Sequence, residues 1–276
     1  MSVSDAETKT CKLCMGSATL KFSADLPNDM QADYWECSHC RLLQSFHLDG
    51  LSPEELAPVY DPERWLVDPD PGATWRLSYI SRRLEWLWKT KMLPRRTGMK
   101  ILDFGSGSGF VVSYLRHRLG VLAWGYEPYA TAVFAPECTL EIWDQAMELA
   151  PYQWVIASEV FEHFIDPLAE LQRLKRVLGD PSAVFITTGR YVPGEHGSDW
   201  SYLALHSGQH VALYAERTMQ EVARILGFTH TYCVGGPNEW LLATPHTKKE
   251  RLVSGIAAAL LRAMAKIGVP AKLDRS

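Results

Sequence analysis

The stretch that decides the fold is ILDFGSGSGF, at residues 101–110. An apolar run leads into it, and three glycines follow at alternate positions, Gly105, Gly107 and Gly109. The apolar residues of 111–119 then recur with helical spacing. We therefore predict a strand, a tight turn and a helix. Such glycines let the backbone approach a ligand closely, and the following helix N-terminus offers the ligand free N–H groups.

Two acidic residues near this turn help to identify the ligand. A dinucleotide-binding turn favours the spacing G-x-G-x-x-G, whereas this chain has G-x-G-x-G with Asp103 shortly before it. The next apolar run, Val121–Tyr126, is followed by Glu127. An acid at the end of a second strand can accept both ribose hydroxyls of an adenosine. The combination favours an adenosine ligand over a chance loop of glycine and serine.

Residues 75–245 resemble the class I S-adenosylmethionine (SAM) methyltransferases. The acid and the G-x-G-x-G of the first family motif match residues 103–109, and the acid of the second motif matches Glu127. The resemblance implies that the glycines let the backbone run close to the methionine part of SAM and that Glu127 binds the ribose. It also implies that the segment after strand three contacts the adenine. The implied cofactor-binding residues are Asp103, Gly105, Ser106, Gly107, Gly109, Glu127, Asp144, Gln145 and Glu159.

Apolar runs farther along the chain predict the remaining strands. Residues 140–143, 153–158 and 183–187 suit buried strands, and 228–234 with 239–244 suit a final pair. Helical patterns alternate with these strands up to the final pair. We therefore predict an α/β fold with a Rossmann-like, seven-stranded and mostly parallel sheet, in which one strand is reversed.

Capping residues predict the bounds of two helices. Asp166 and Pro167 suit the start of a helix that Gly179 would end. Thr218 and Glu221 match a capping box at the start of another helix.

Four of the six cysteines form two C-x-x-C pairs, Cys11 with Cys14 and Cys37 with Cys40. Two such turns suit one tetrahedral Zn²⁺ held by four thiolates. In a cytosolic chain this is favoured over two disulfides. Aromatic and alternating residues nearby suit a small β ribbon that needs the metal to fold. We therefore predict a structural zinc site with these four cysteines as ligands.

These signals divide the chain into four segments. We predict a zinc ribbon at 1–50, a linker and cap helix at 51–95, a SAM-dependent methyltransferase domain at 96–247 and a helical tail at 248–276. The tail is basic and amphipathic. We expect it to dock on its own domain or on a second subunit, as a homodimer contact, and contact with a membrane surface is the alternative.

The ribbon resembles the zinc segment of the sugar C-methyltransferases, which ends in C-x-x-C-x-L-x-Q. Residues 37–44 read CSHCRLLQ and match this phrase. Those enzymes carry a further C-terminal domain, and we expect this chain to lack it. The ribosomal guanine methyltransferases also have an N-terminal zinc hook, but their hook usually places a histidine last.

Three histidines follow predicted strands and are candidates for removing a proton from an acceptor. His163 follows the fourth strand, and His206 and His210 lie in the loop after the fifth. This loop reads Y-x-E-H in the sugar C-methyltransferases. His210 matches the histidine, whereas Ser207 and Gln209 stand in place of the tyrosine and the glutamate. The resemblance implies catalytic roles for His210, His163 and His206, and hydrogen bonding within a loop or cap is the alternative for each.

The segment after the fourth strand also offers a second candidate metal site. Residues 159–167 are close to the phrase E-x-x-E-H-x-x-D-P of many small-molecule methyltransferases. A related group of quinone O-methyltransferases binds a divalent ion with the residues that match Glu159, Glu162 and His163. Many relatives keep the phrase without a metal, so both alternatives stay open.

Composition weighs these alternatives against one another. The 276-residue chain has a net charge of −4, which gives no bulk attraction to nucleic acid. No apolar run approaches the roughly 20 residues of a membrane span, and no signal-peptide pattern is visible. We predict a cytoplasmic methyltransferase that acts on a small molecule, a sugar or a biosynthetic intermediate. The alternatives are an RNA methyltransferase that grips RNA through its ribbon, and a non-catalytic SAM-fold binding or assembly module.

Overall fold

Two β-sheets organise the computed structural model of this chain. The predicted tail at 248–276 lies outside the described residues, as does much of the predicted linker. The structure describes residues 7–27, 29–56, 58–59, 71–89, 97–234 and 238–244.

Burial along the strands follows the sequence pattern. The strand that enters the glycine turn is buried throughout Ile101–Phe104, as a central parallel strand should be. The described strands are β1 (Thr8–Thr10), β2 (Ser17–Asp25), β3 (Gln31–Cys37), β4 (Leu43–Ser45), β5 (Lys100–Phe104), β6 (Leu122–Tyr126), β7 (Thr139–Leu140), β8 (Tyr152–Ser158), β9 (Leu178–Thr187), β10 (Ala212–Leu213), β11 (His230–Cys233) and β12 (Glu239–Ala243).

The larger sheet has the spatial order β11-β12-β9-β8-β5-β6-β7. β12 runs antiparallel to both of its neighbours, and the other pairs are parallel. The predicted seven-stranded sheet with one reversed strand is therefore confirmed. Because parallel strands end at the same edge, the segments after β5, β6, β8 and β9 meet there. This edge is where open α/β sheets bind their ligands.

Helices cover both faces of the larger sheet. On one face, Leu84 packs in the same buried cluster as Val112 and Leu115. On the other, Leu171 and Met219 belong to a second buried cluster. The described α-helices are α1 (Pro53–Leu56), α2 (Pro71–Lys89), α3 (Phe110–Leu119), α4 (Trp143–Leu149), α5 (Pro167–Val177) and α6 (Glu216–Leu226).

The smaller sheet is antiparallel and has the order β1-β2-β3-β4-β10. Its first four strands come from the predicted ribbon. The fifth, β10, comes from the loop between β9 and α6, and it pairs Ala212 with Gln44 and Leu213 with Leu43. The ribbon therefore shares a sheet with a segment that lies between two strands of the larger sheet in the chain.

The predicted third strand at 140–143 is wrong in its bounds. β7 ends at Leu140, and Trp143 begins α4. The Trp143 ring lies 5.7 Å from the ring of Phe104 and 5.1 Å from that of Tyr126. We attribute the short strand to this aromatic packing, which stabilises the early start of α4 relative to a longer edge strand.

Two predicted helix bounds are also wrong. Asp166 does cap α5 by accepting a hydrogen bond from the backbone N–H of Ala169. The helix then ends at Val177, and Gly179 lies in β9. The reason is strand pairing, because Leu178 is already extended and pairs with Tyr152 of β8.

The second wrong bound is the start of α6, which begins at Glu216. Thr218 is therefore the third helical residue and not the cap. Its Oγ1 accepts a hydrogen bond from the N–H of Ala215 at 3.1 Å and donates one to the carbonyl oxygen of Cys40 at 2.8 Å. In the described part of the chain, no helix has the length and apolarity that a membrane crossing requires.

Candidate functional site

The glycine turn after β5 has the backbone that only glycine adopts easily. Gly105, Gly107 and Gly109 have φ angles of +73°, +50° and +76°. A Cβ on Gly105 would lie 2.5 Å from Cγ2 of Val160, which follows β8. The glycines therefore permit both the left-handed backbone and the close approach of the two strand ends.

Glu127 organises this turn through its carboxylate. Oε2 accepts a hydrogen bond from the N–H of Gly107 at 2.8 Å. Oε1 accepts from the N–H groups of Tyr129 and Ala130 at 2.9 and 3.0 Å. The sequence predicted only that Glu127 binds a ribose. The structure adds that this buried acid links the end of β6 to the glycine turn.

Asp103 lies beneath the turn at the end of β5 and is buried. Burial raises the pKa of Asp103 to about 7, and the negative charge of Glu127 adds to the rise. Two acids thus stand at one end of the cradle. This arrangement fits SAM, which carries a sulfonium, an ammonium and ribose hydroxyls, and it opposes an anionic pyrophosphate.

The other implied cofactor residues lie around the same edge of the sheet. Ser106 is buried against Gly125, on which a Cβ would lie 2.3 Å from the Ser106 Oγ. Asp144 and Gln145 are exposed in the first turn of α4, after β7. The Gln145 Oε1 accepts a hydrogen bond from the N–H of Ile142 at 3.4 Å.

Glu159 and Glu162 converge on one tyrosine that the sequence did not identify as a site residue. The Tyr202 hydroxyl lies 2.6 Å from Oε1 of Glu162 and 2.9 Å from Oε2 of Glu159. Thr188 donates from Oγ1 to Oε2 of Glu162 at 2.8 Å, and Thr187 donates to Oε1 of Glu159 at 2.9 Å. The ends of β8 and β9 and the loop after β9 are thereby joined.

Two features show that this cluster is closely constrained. Glu159 has a φ of +54°, which costs a non-glycine residue about 1–3 kcal/mol and is typical of functional sites. A Cβ on Gly189 would lie 2.2 Å from the Tyr202 ring, so only glycine admits the ring here.

Burial raises the pKa of Glu162 to about 8, and the charge of Glu159 contributes to the rise. Glu162 is therefore mostly protonated at neutral pH.

His163 and His210 meet beside this cluster. Their ring centroids lie 4.9 Å apart in an edge-to-face arrangement. Burial lowers the pKa of His163 to about 3, and burial likewise lowers the pKa of His210 to about 4. The Nδ1 of His210 lies 2.5 Å from the carbonyl oxygen of Tyr202. Because a carbonyl only accepts, Nδ1 carries the hydrogen, and Nε2 of the neutral ring is left as an acceptor.

His206 is close enough to His210 for its charge to lower the pKa of that ring further. It is exposed, although it belongs to the same loop as His210. Among the described residues, Glu162, His163 and His210 offer ligand atoms that lie within 4.8 Å of one another. The predicted second metal site named Glu159 in place of His210, so the two sets share only Glu162 and His163.

The four paired cysteines form a cluster at one end of the smaller sheet. All four Sγ atoms lie within 4.8 Å of one another. Cys11 and Cys40 have their Sγ atoms 3.6 Å apart, and Cys14 and Cys37 have theirs 3.5 Å apart. A tetrahedral zinc site with Zn–S bonds of about 2.3 Å separates its sulfurs by about 3.8 Å. The cluster thus has the dimensions that such a site needs.

The two cysteine turns have the same backbone geometry. In the first, the N–H of Cys11 donates to the carbonyl oxygen of Gly16, and in the second, that of Cys37 donates to Leu42, at 2.8 and 2.9 Å. The carbonyl oxygens of Cys11 and Cys37 also accept hydrogen bonds from the N–H groups four residues later, those of Met15 and Arg41, at 3.1 Å in both turns. Two matching turns that face each other are the arrangement that a four-thiolate site requires.

Comparison with known structures finds several methyltransferases at low identity. The mitomycin 7-O-methyltransferase is 13% identical, with a TM-score of 0.49 over 70% of this chain and 60% of its own. An O-methyltransferase family protein from Burkholderia thailandensis is 14% identical, with a TM-score of 0.44 over 73% and 76%. This chain thus spans less than two thirds of the length of the mitomycin enzyme.

A third similar structure is the magnesium protoporphyrin IX methyltransferase from Synechocystis PCC 6803. It is 16% identical, with a TM-score of 0.43 over 62% of this chain and 84% of its own. Comparison with curated protein sequences finds no match.

A family model also matches this chain. The model of a family described as a methyltransferase domain matches residues 74–232, which is more than half of the 276 residues. This range begins in α2 and includes the glycine turn, Glu127 and both members of the histidine pair. The chain therefore belongs to the methyltransferase domain family.

Proposed function

We propose that this protein transfers the methyl group of SAM to a small-molecule acceptor, a sugar or another biosynthetic intermediate. One observation carries the proposal. The glycine cradle with Glu127 and the histidine pair stand at neighbouring strand ends on one edge of the larger sheet. A cofactor methyl group and an acceptor can therefore be brought into line there.

When bound, SAM supplies an activated methyl group for in-line displacement. Glu127 holds the ribose, and Gly105, Gly107 and Gly109 let the backbone pass the methionine part. His210 takes the proton of a hydroxyl or carbon-acid acceptor at Nε2, while the carbonyl oxygen of Tyr202 fixes its ring through Nδ1–H. The lowered pKa of His210 keeps this imidazole neutral at pH 7.

The experiment that tests the cofactor is calorimetry with SAM and with NAD on the purified protein. We expect SAM to bind and NAD not to bind. Binding of NAD without SAM would overturn the proposal. If SAM binds, the next step is to identify the acceptor by mass spectrometry of ligands that copurify, followed by assays of product formation with labelled SAM. If a ligand binds in the site and is never methylated, the non-catalytic binding module explains the protein better.

We also propose that Cys11, Cys14, Cys37 and Cys40 hold one structural Zn²⁺. Four thiolates close the coordination shell, which leaves no position for a substrate. Elemental analysis should find one zinc per chain whether SAM is present or not. Cys37→Ser should lose that zinc, and Cys138→Ser should keep it, because Cys138 lies in a different buried cluster. Full retention of zinc by the Cys37→Ser protein would contradict the assignment.

A small-molecule acceptor is favoured over RNA by the charges of the ribbon. Lys12 pairs with Asp49, and both Lys21 and Arg41 pair with Glu36. The positive charges of these side chains are therefore partly neutralised by acids of the same chain. The net charge of the chain is −4. The RNA alternative predicts binding that weakens steeply with salt, which filter binding with a structured RNA would detect. Cytoplasmic location and a homodimer through the tail remain predictions.

A further inference from the structure

The ribbon reaches the candidate acceptor site through a continuous backbone ladder. We call residues 202–214 the roof loop. β4 pairs with β10 inside this loop, with Leu43 opposite Leu213. Next to these paired residues, the N–H of Ser45, the last residue of β4, donates to the carbonyl oxygen of Val211 at 2.9 Å. The ladder therefore ends one residue from His210.

Two side chains of the ribbon extend this ladder past His210. The Tyr34 hydroxyl donates to the carbonyl oxygen of His210 at 3.2 Å. Nε2 of His47 donates to the carbonyl oxygen of Gly208 at 2.8 Å, while its Nδ1 accepts from the hydroxyl of Ser45 at 2.9 Å. Burial lowers the pKa of His47, which favours the neutral form with its hydrogen on Nε2. The backbone of His210 is thus held on both sides.

The cysteine turns hold the ribbon end of the ladder. The N–H of Lys12, between the first two cysteines, donates to Oε1 of Gln44 at 2.9 Å, and its Nζ donates to the carbonyl oxygen of Ser45 at 2.8 Å. The carbonyl oxygen of Cys40 accepts from Thr218, just after the roof loop, at 2.8 Å. Both cysteine turns are therefore bonded to the strand or helix that flanks the roof loop.

The opposite side of the roof loop rests on the segment after β8. The N–H of Val211 donates to the carbonyl oxygen of Glu162 at 2.8 Å. The Tyr214 hydroxyl donates to the carbonyl oxygen of Phe161 at 3.1 Å. His210 consequently sits between the ribbon and the histidine and glutamates of that segment. The cofactor turn, in contrast, is bonded to the end of β6, where the carbonyl oxygen of Tyr126 accepts from Gly105 and the carboxylate of Glu127 accepts from Gly107.

We propose that Tyr34 and His47 are positioning residues, and that the ribbon acts through them to hold His210 against the acceptor. The inference rests on the proposed role of His210 as the base. It assigns the ribbon a function beyond the stability of its own sheet. A metal in the cysteine cluster would then control the order of the roof loop without touching the cofactor turn.

Hydrogen exchange read by mass spectrometry tests this without any acceptor. His47→Ala removes the bond to Gly208, and His47→Gln can restore a donor at about the same place. Loss of one hydrogen bond should speed exchange in residues 203–213 by about two- to tenfold. We expect His47→Ala and Tyr34→Phe to show this, and His47→Gln to show much less. Exchange in residues 101–110 should stay unchanged in all three.

Tyr114→Phe is a matched control, because the Tyr114 hydroxyl bonds to Glu85 far from the roof loop. It should leave exchange in 203–213 as in the parent. Unchanged exchange there in both His47→Ala and Tyr34→Phe would overturn the inference. Faster exchange in 101–110 as well would also overturn it, because the ribbon would then support the whole fold and not the roof loop.

Removal of zinc with a chelator gives a second readout. We expect exchange to rise in 203–213 while the affinity for SAM, measured by calorimetry, stays the same. Once an acceptor is known, His47→Ala should lower kcat by about ten- to a hundredfold, as misplacement of a catalytic group does, and His47→Gln should recover most of it. If the parent binds no SAM, the proposed function fails, whereas the exchange experiment still decides whether the ribbon holds the loop.

Discussion

The cofactor side and the acceptor side of the site are built in different ways. The cofactor side is a single turn between β5 and α3, tied by Glu127 to the end of the neighbouring strand. The acceptor side brings together the segment after β8, the end of β9, the roof loop and a ribbon that is distant in sequence. Tyr34 and His210, which are in contact, lie 176 residues apart.

This difference has a physical cause. An adenosine ligand can be recognised by backbone N–H groups and one acid, which a short glycine turn and the end of the neighbouring strand supply. A proton-transfer site needs side chains held at fixed positions on several elements. We therefore expect substitutions on the cofactor side to change SAM affinity, and substitutions on the acceptor side to change turnover.

The largest expected effect separates the two sides most clearly. His210→Ala should lower kcat by about 10²–10⁴, the usual contribution of a positioned base, and should leave SAM affinity unchanged. His206→Ala is the matched control, since His206 is exposed in the same loop. Steady-state kinetics with the identified acceptor would measure both. A kcat for His210→Ala within about threefold of the parent would mean that proximity alone suffices.

The pH profile sharpens the same assignment. A base must be unprotonated, so activity falls as the pH drops through its pKa. Since burial lowers the pKa of His210 to about 4, kcat/KM should stay level from pH 7 down to about 5 and fall near pH 4. An acidic limb near pH 6.5, the ordinary value for histidine, would contradict a buried base.

On the cofactor side, Glu127→Gln should weaken SAM binding by about 1.5–3 kcal/mol, the scale of hydrogen bonds to a charged group. The amide can still accept from Gly107, so the turn itself should persist. The amide NH2 cannot accept from Tyr129 and Ala130 as Oε1 does, and Glu127→Ala should weaken binding further, because the bond from Gly107 is lost as well. Calorimetry would measure both variants. Equal and undiminished affinity in both would show that the ribose is held elsewhere.

The same contrast explains what the sequence could predict. The glycine turn, Glu127 and the two cysteine pairs are short motifs, in which neighbouring residues act together. The seven strands follow from apolar runs. Tyr202 and His47 gave no such signal, because their partners come from other segments. The bound at Gly179 was wrong because Leu178 pairs with Tyr152 of β8, a contact between residues distant in sequence, and the helix ends before the glycine.

The smallest predicted effect concerns the buried Glu162. Its folded pKa is raised to about 8, first by burial and then by Glu159, whereas the unfolded value is about 4.3. The folded chain therefore keeps a proton that the unfolded chain has released. Stability should fall as pH rises from 6.5 to 8, by up to about 1.4 kcal/mol per pH unit from this group.

Glu162→Gln should flatten part of that fall, as denaturant unfolding at several pH values would show. The amide oxygen can accept from one of the hydroxyls of Tyr202 and Thr188, and the amide NH2 can donate to the other, as a protonated carboxyl would. Asp103, whose pKa is raised to about 7, should leave a residual slope in the lower half of the window. His163 and His210 oppose the fall in the lower part of the window, because their folded pKa values are lowered and stability rises with pH until the unfolded rings, with pKa values of about 6.5, are neutral. An unchanged slope in Glu162→Gln would mean that Glu162 is ionised in the folded protein, and its bond from Tyr202 would then be one between a phenol and a carboxylate.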